Sequence, residues 1–222
     1  MKNKNVQIVR ECIEQISNAK RFDRIYDYYS EQCLFHTPPY VGLGLYPDET
    51  SGERLVIKSV AANSPASGKV QVGDVLLRAS DADGTWEGYD QMRTGHWGRG
   101  KLGTEVTLTL LRNGETLDVT MARGRVEGFD SIMADVLTDW QYYLSEVMPD
   151  LHTEINQIIA DGDFVAYYAT NTGTSKIYHQ SAVWTDCNIL RLENGKIAEW
   201  WGVEDQLSMW RQFGFRVMEP AA

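Results

Sequence analysis

The stretch from Thr37 to Tyr46, TPPYVGLGLY, decides how this chain is divided. Before it the sequence is charged and has helical spacing. Two prolines then break that pattern, and a Gly-Leu-Gly-Leu run follows. Such a loop suits three jobs: cradling a phosphate, ending a domain or starting one. A phosphate loop leads directly into a helix whose first N–H groups face the anion, and it usually carries Lys followed by Ser or Thr. Here the run continues into YPDETSGERLVIKSV, which reads as strand. The phosphate reading is weak, and a domain boundary is the better one.

Composition is uneven on the two sides of that boundary. From Tyr40 to Val126 there are 11 acids, 10 bases and 13 of the 19 glycines. The rest of the chain holds 20 acids, 11 bases and 6 glycines. A middle that differs from both flanks points to an insertion rather than a tandem.

Across all 222 residues the net charge is −10, which argues against nucleic acid or an anionic membrane as partner. With 43% hydrophobic residues, the chain can bury a real core. Cys12, Cys33 and Cys187 are odd in number and far apart, as reduced thiols are. No apolar run suits a signal peptide or a membrane span, so a cytoplasmic protein is expected.

The flanks read as helices first and strands last. Val6, Val9, Ile13 and Ile16 recur at helical spacing, and Phe22, Ile25, Tyr26 and Tyr29 form a second pattern. The short strand CLFH follows. After the middle, Phe129, Ile132, Met133, Val136, Trp140 and Leu144 mark a long amphipathic helix ending near Pro149. Then come LHTEINQII, FVAYYATNT, YHQSAVWTDCNILRL and IAEWWGV, joined by DGD and ENGK turns, and a last helix, QLSMWRQFG. This is an α+β order. In the middle, ERLVIKSV, GDVLLRA, EVTLTLL and TLDVTMA are short strands around one brief helix near EGYDQM, a small β-barrel with its own core.

The middle resembles a PDZ domain, most of all those of bacterial tail-specific proteases. The resemblance rests on GLGL at Gly42, Leu43, Gly44 and Leu45, then Ser64-Pro65-Ala66, Gly73-Asp74 and Gly103-Thr104 at their separations. It implies that the loop's N–H groups receive a peptide's terminal carboxylate, that the next strand offers an edge, and that Tyr89 and Met92 line a side-chain pocket. A purely structural module, acting as lid or assembly contact, is the alternative.

With residues 40–126 set aside, residues 1–39 and 127–222 resemble SnoaL-like polyketide cyclases of the nuclear transport factor 2-like superfamily. The matching residues are His36 in a short strand ending at Pro38, MPDLHTEI after the long helix, IIADGDFVAYYATNTGT and ILRLENGKIAEWWGVEDQLSMWRQFG. The expected fold is a cone: a curved antiparallel sheet wrapped on helices, interrupted by the inserted PDZ-like barrel.

The resemblance implies metal-free acid–base chemistry on a small apolar substrate with an enolisable carbonyl, without a cofactor. The family's Trp-x-x-x-Asp spacing from Trp201 makes Asp205 the expected base, with an N-cap for the last helix as its other reading. His36 and His179 are the expected assistants, and Trp140, Trp184 and Trp201 the expected pocket wall. Many relatives place an acid directly after the Trp, where this chain has Gly202. Along the strand from Tyr178, His179 and Cys187 share one face and Trp184, Asp186 and Asn188 the other. The competing expectation is a non-catalytic adaptor; a carboxylate facing the apolar interior separates the two. Apolar residues on both faces of FVAYYA and AVWTDCNIL lead us to expect a homodimer through the outer sheet face.

Overall fold

The computed structural model describes residues 3–48, 53–128 and 130–216. The chain divides into two compact units, Met1–Thr37 with Asp130–Ala222, and Pro38–Phe129.

The discontinuous unit opens with helix α1 (Lys4–Cys12). The Asn3 side chain caps it, accepting from Asn5 N (2.9 Å) and Val6 N (3.3 Å). The helix runs on as a wide π-type turn over Ile13–Asn18. A short helix α2 (Ile25–Tyr28) leads into strand β1 (Tyr29–His36). The chain then crosses into the second unit and returns as strand β10 (Asp130–Ile132) and helix α4 (Met133–Tyr142), which ends in another π-type turn, Tyr143–Val147. Four long strands follow: β11 (His152–Asp161), β12 (Phe164–Ser175), β13 (Gln180–Glu193) and β14 (Lys196–Glu204). Helix α5 (Gln206–Gln212) comes last.

The sheet order is β10-β1-β14-β13-β12-β11. Among the described residues, only β1 and β14 run parallel, with Phe35 opposite Trp200 and His36 opposite Trp201. The start of the expected long helix is strand instead. Asp130, Ser131 and Ile132 pair with His36, Phe35 and Leu34, covering the free edge of β1; Phe129 lies outside the described residues. Register shifts in β1, β11 and β14 bend the sheet. Its inner face carries Val165, Tyr167, Ala169, Leu190, Leu192 and Ile197 against Val9, Cys12, Ile16, Ile25 and Met133 of the helices. This buried stripe alternates strictly along β12 with half-buried or exposed residues.

The second unit contains β2 (Tyr40–Gly42), β3 (Leu45–Asp48), β4 (Leu55–Val60), β5 (Val75–Ser80), β6 (Thr85–Glu87), α3 (Gly88–Thr94), β7 (Glu105–Arg112), β8 (Glu115–Ala122) and β9 (Gly124–Val126). Its main sheet runs β3-β4-β5-β7-β8, with β6 on β5, and β2 pairs with β9. The core is its own: Leu43, Ile57, Ala66, Leu76, Met92, Trp97, Leu108 and Met121 are all buried. Asp74 ties the turn at Gly73 to β7, accepting from Arg112 Nε (2.8 Å) and Nη2 (2.7 Å) and from Gln71 N (2.8 Å). The fork geometry makes this a two-point bond.

Candidate functional site

Strand β13 builds the site. Its inner face presents Trp184, Asp186 and Asn188 in succession, because side chains two apart on a strand share a face. Trp184 and Asn188 are buried, and Asp186 is half-buried. Within this row three polar atoms lack a hydrogen-bond partner: Trp184 Nε1, Asp186 Oδ1 and Asn188 Nδ2. They are donor, acceptor and donor on one line. Buried polar atoms of native proteins are nearly always paired, so such a row calls for a ligand or water.

The neighbouring strands complete the group by register. Asn171 lies opposite Trp184, Tyr167 opposite Asn188, and Glu204 opposite Asp186. Thr153 Oγ1 donates to Asn171 Oδ1 (2.7 Å), which commits the Asn171 oxygen and leaves its NH₂ for Asp186. Thr153 is itself held by Asn18, whose Oδ1 accepts from Thr153 N (2.8 Å) and whose Nδ2 donates to Thr153 O (3.1 Å).

Electrostatics follow from this placement. Burial pushes the Asp186 carboxyl above its ordinary value, and the Asn171 and Asn188 amides pull the other way. Glu204 is an exposed residue, yet the protein crowding its carboxyl raises it too, opposed by Gln206 and reinforced by the charge of Asp186. Tyr143 is pushed up to about 12 by burial and then by Glu204. Tyr167 is held well above the usual tyrosine value by burial and then by Asp186. Among the described residues, no Lys, Arg or His forms an ion pair with Asp186 or Glu204.

The structure places the expected catalytic residues elsewhere. Asp205 is exposed and caps α5, accepting from Ser208 N (3.0 Å). It borders an open depression with Leu207, Ser208, Arg211 and Gln212 rather than the interior. His179 is exposed in the turn between β12 and β13, in the left-handed region at φ 54°. Its N–H is spent on Ser175 O (2.8 Å).

His36 lies on the outer face, stacked on Trp201 at 4.4 Å and 10°. Its ring nitrogens sit 2.7 Å from Asp130 Oδ1 and 3.0 Å from Glu199 Oε2. Arg191 Nε holds the other Glu199 oxygen at 2.5 Å. Trp201, expected in the pocket wall, therefore lies outside it. Trp201 faces outward, and Trp200 turns inward against Phe35 at 5.6 Å. Trp140 packs edge-on against Tyr29 at 5.9 Å, as part of the helical core. Only Trp184 of the three expected wall residues stands in the polar row.

In the PDZ-like unit, Leu43 is fully buried and its N–H already donates to Gly98 O (3.0 Å). Met92 is core, 2% exposed. Gly42 and Gly44 are tightly enclosed: a β-carbon on Gly42 would lie 2.6 Å from Gly98 O, and Gly44 sits at φ +79° beside Ser64. Leu45 opens β3, and half-buried Tyr89 lies beneath Arg93.

Sequence reading missed Asp186 and Glu204 as chemistry. The face assignment of β13 was the available signal, since it groups Asp186 with two residues that prove buried. Glu204 was masked by its neighbour Asp205, one residue and therefore one face away.

The family comparisons match this geometry. Residues 114–213 match the family model for SnoaL-like polyketide cyclases, and residues 39–122 match that for PDZ domains. The chain is similar to SnoaL-like polyketide cyclases in one part and to PDZ domains in the other. The first match begins at Gly114, in the β7–β8 hairpin, which belongs structurally to the PDZ-like unit.

Among solved structures, IdmH of Streptomyces antibioticus, a candidate polyketide cyclase, is 13% identical at a TM-score of 0.50, covering 96% of this chain and 100% of that one. A loop-truncated variant of IdmH is 14% identical at 0.50, covering 95% and 99%. At these identities the likeness is one of fold. No curated protein matches the chain. Among the described residues, no helix is long and apolar enough to cross a membrane.

Proposed function

We propose that the SnoaL-like unit is a small-molecule enzyme of the cyclase or isomerase type, with Asp186 as its base. The observation that carries this reading is the row of partnerless polar atoms at Trp184, Asp186 and Asn188. Asp186 removes a proton alpha to a carbonyl. The Trp184 N–H, which has no partner among the described residues, holds the oxygen on which charge develops. A desolvated carboxylate is a stronger base than an exposed one, and fixed donors in a water-poor site stabilise an enolate without reorganising. Asp205 and His179, exposed and engaged in local turns, take no part.

The test is exchange of alpha protons for deuterium in simple ketones and β-keto esters, followed by NMR. Asp186→Asn keeps the shape and removes the base, so catalysed exchange should fall by roughly a hundredfold or more. Equal exchange by Asp186→Asn and the parent protein would end the assignment.

One observation favours a second reading, a binding protein without turnover. Tyr178 packs on Phe213 at 5.5 Å, on Phe215 at 5.1 Å and on Trp210 at 5.7 Å. This aromatic group is continuous with Trp184 and Tyr143 and fills space beside the polar row. Saturable binding of an enolate mimic such as 1-naphthol, with no exchange of any ketone, would favour it. For the PDZ-like unit, the supporting observation is that among the described residues β3 pairs only with β4 and ends its sheet. An extended peptide added along β3 is the corresponding reading, tested by titrating C-terminal peptides with free and amidated carboxyl ends.

A further inference from the structure

Asp186 has a carboxyl directly across the strand pair. In the register of β13 and β14, Asp186 faces Glu204, and directly opposed residues hold their Cβ atoms about 5 Å apart on the same face. The two rows are matched further along as well, Asn188 facing Gly202 and Leu190 facing Trp200. Resting on the reading of Asp186 as base, we propose that Glu204 is the second catalytic residue, the acid that protonates the product oxygen and takes its proton back from Asp186.

The division of labour follows from position. The Asn171 amide, oriented toward it by Thr153, and the Asn188 amide stabilise the charged form of Asp186. Among the described residues, Glu204 has the Gln206 amide as its one donor, with Nε2 3.4 Å from Oε2, and it faces the charge of Asp186. Of two opposed carboxyls the one with more hydrogen-bond donors ionises first, and the second then resists losing its proton beside a like charge. Asp186 is therefore the carboxylate and Glu204 the carboxylic acid.

The other titratable groups around the pair are Tyr167 on β12 and Tyr143 in the turn after α4, both held protonated by burial. Cys12 on α1, near Tyr167, is also held as the thiol, at about 12. Cys187, on the same strand as Asp186, points to the other face and is exposed. Tyr167, Tyr143 and Cys12 keep their protons near neutral pH, which leaves Glu204.

The cycle balances with these two residues alone. Asp186 takes the alpha proton; the C–H pair becomes the enolate double bond, and the carbonyl pair moves to oxygen beside the Trp184 N–H. In ring closure the enolate carbon attacks a second carbonyl of the same molecule. A carbon–carbon bond forms, and the new alkoxide takes the proton of Glu204. The enzyme is left with the proton on Asp186 and none on Glu204. Because the two face each other, one transfer between them, direct or through a single water, restores the starting state.

The experiment compares the parent protein with Glu204→Gln and Asp186→Asn in two ways. Infrared difference spectra across a pH titration read the protonated-carboxyl signal without any substrate. The parent should keep that signal above the pH at which an ordinary glutamate has ionised, and Glu204→Gln should lose it. For any ketone found to exchange or cyclise, Glu204→Gln should lower turnover about tenfold to a hundredfold and abolish the fall in rate on the alkaline side. A Glu204 that titrates like an exposed carboxyl, or a Glu204→Gln rate profile identical to the parent's, overturns the proposal. If no ketone reacts, the enzyme reading fails, and the infrared signal alone decides whether the pair shares a proton. If Asp186→Asn stops the reaction while Glu204 titrates normally, the enzyme reading stands and the acid role falls.

Discussion

Asn188 and Gly202 face each other across β13 and β14, so closely that a β-carbon on Gly202 would lie 2.5 Å from Asn188 Oδ1. The same β-carbon would lie 2.5 Å from Trp200 Cζ2. This glycine stands where the resemblance to SnoaL-like cyclases leads one to expect an acid. Its lack of a side chain is what lets Asn188 and Trp200 occupy the inner face.

Replacing Gly202 with Ala or Asp should therefore displace Asn188 rather than add a usable group. Overpacking of this kind costs about 1–3 kcal/mol. Urea unfolding of Gly202→Ala against the parent checks the loss. Asp186-dependent exchange should fall with it, because Asn188 no longer points at the row.

The two units should respond to acid in opposite directions. Asp186 and Glu204 bind protons more tightly folded than unfolded, because burial raises both. Their stabilising effect is full below the ordinary carboxylate range and fades as the pH rises through their raised values. Asp74 behaves in the reverse way. Its bonds from Arg112 lower it, so its contribution is full above the ordinary range and is lost as the pH falls through its lowered value. Hydrogen exchange between about pH 4 and pH 7, read separately in the two units, should show Asp186→Asn gaining protection near neutrality in the SnoaL-like unit. Asp74→Asn should lose protection there in the other.

The contiguous unit should fold by itself. Residues 38–129 carry their own buried core, including Trp97 at 5% exposure, whose Nε1 donates to Met92 O (2.7 Å). A cooperative urea transition in Trp fluorescence is expected from this segment alone. A gradual, non-cooperative change would show that it needs the rest of the chain.

The outer sheet face should hold two copies together. Phe164, Tyr168, Ile189 and Val203 are each at least 44% exposed there, on neighbouring strands, with Trp201 and His36 beside them. Sedimentation of the parent is expected to show a concentration-dependent dimer, and Ile189→Glu with Val203→Glu a monomer. A parent that stays monomeric at every concentration would remove the expectation.

The strands were easy to read in the sequence because their alternation is strict. Along β12, Val165, Tyr167, Ala169 and Asn171 are all buried, with half-buried or exposed residues between them. The site was harder, since a carboxylate's worth depends on which way it faces. Asp205 carries the recognisable spacing but lies one residue past the end of β14, where the chain turns and helix capping claims it. Asp186 carries no motif. Only register, which a single sequence does not reveal, brings it opposite Glu204. The β10 strand was hidden for a related reason. Asp130–Ile132 has no strand pattern of its own and is extended because β1 offers it an edge.

The parallel pairing of β1 with β14 also sets an order of events during synthesis. Phe35 must wait for Trp200, 165 positions later, to acquire its neighbour. Until then β1 has only the three-residue β10 beside it. The PDZ-like unit, whose strands all lie within residues 38–129, can complete its contacts well before that. The N-terminal helices and β1 thus spend most of translation with their apolar faces uncovered, the interval in which chaperones act. An inserted unit that folds early would hold the two crossing points near each other while β14 is still being made.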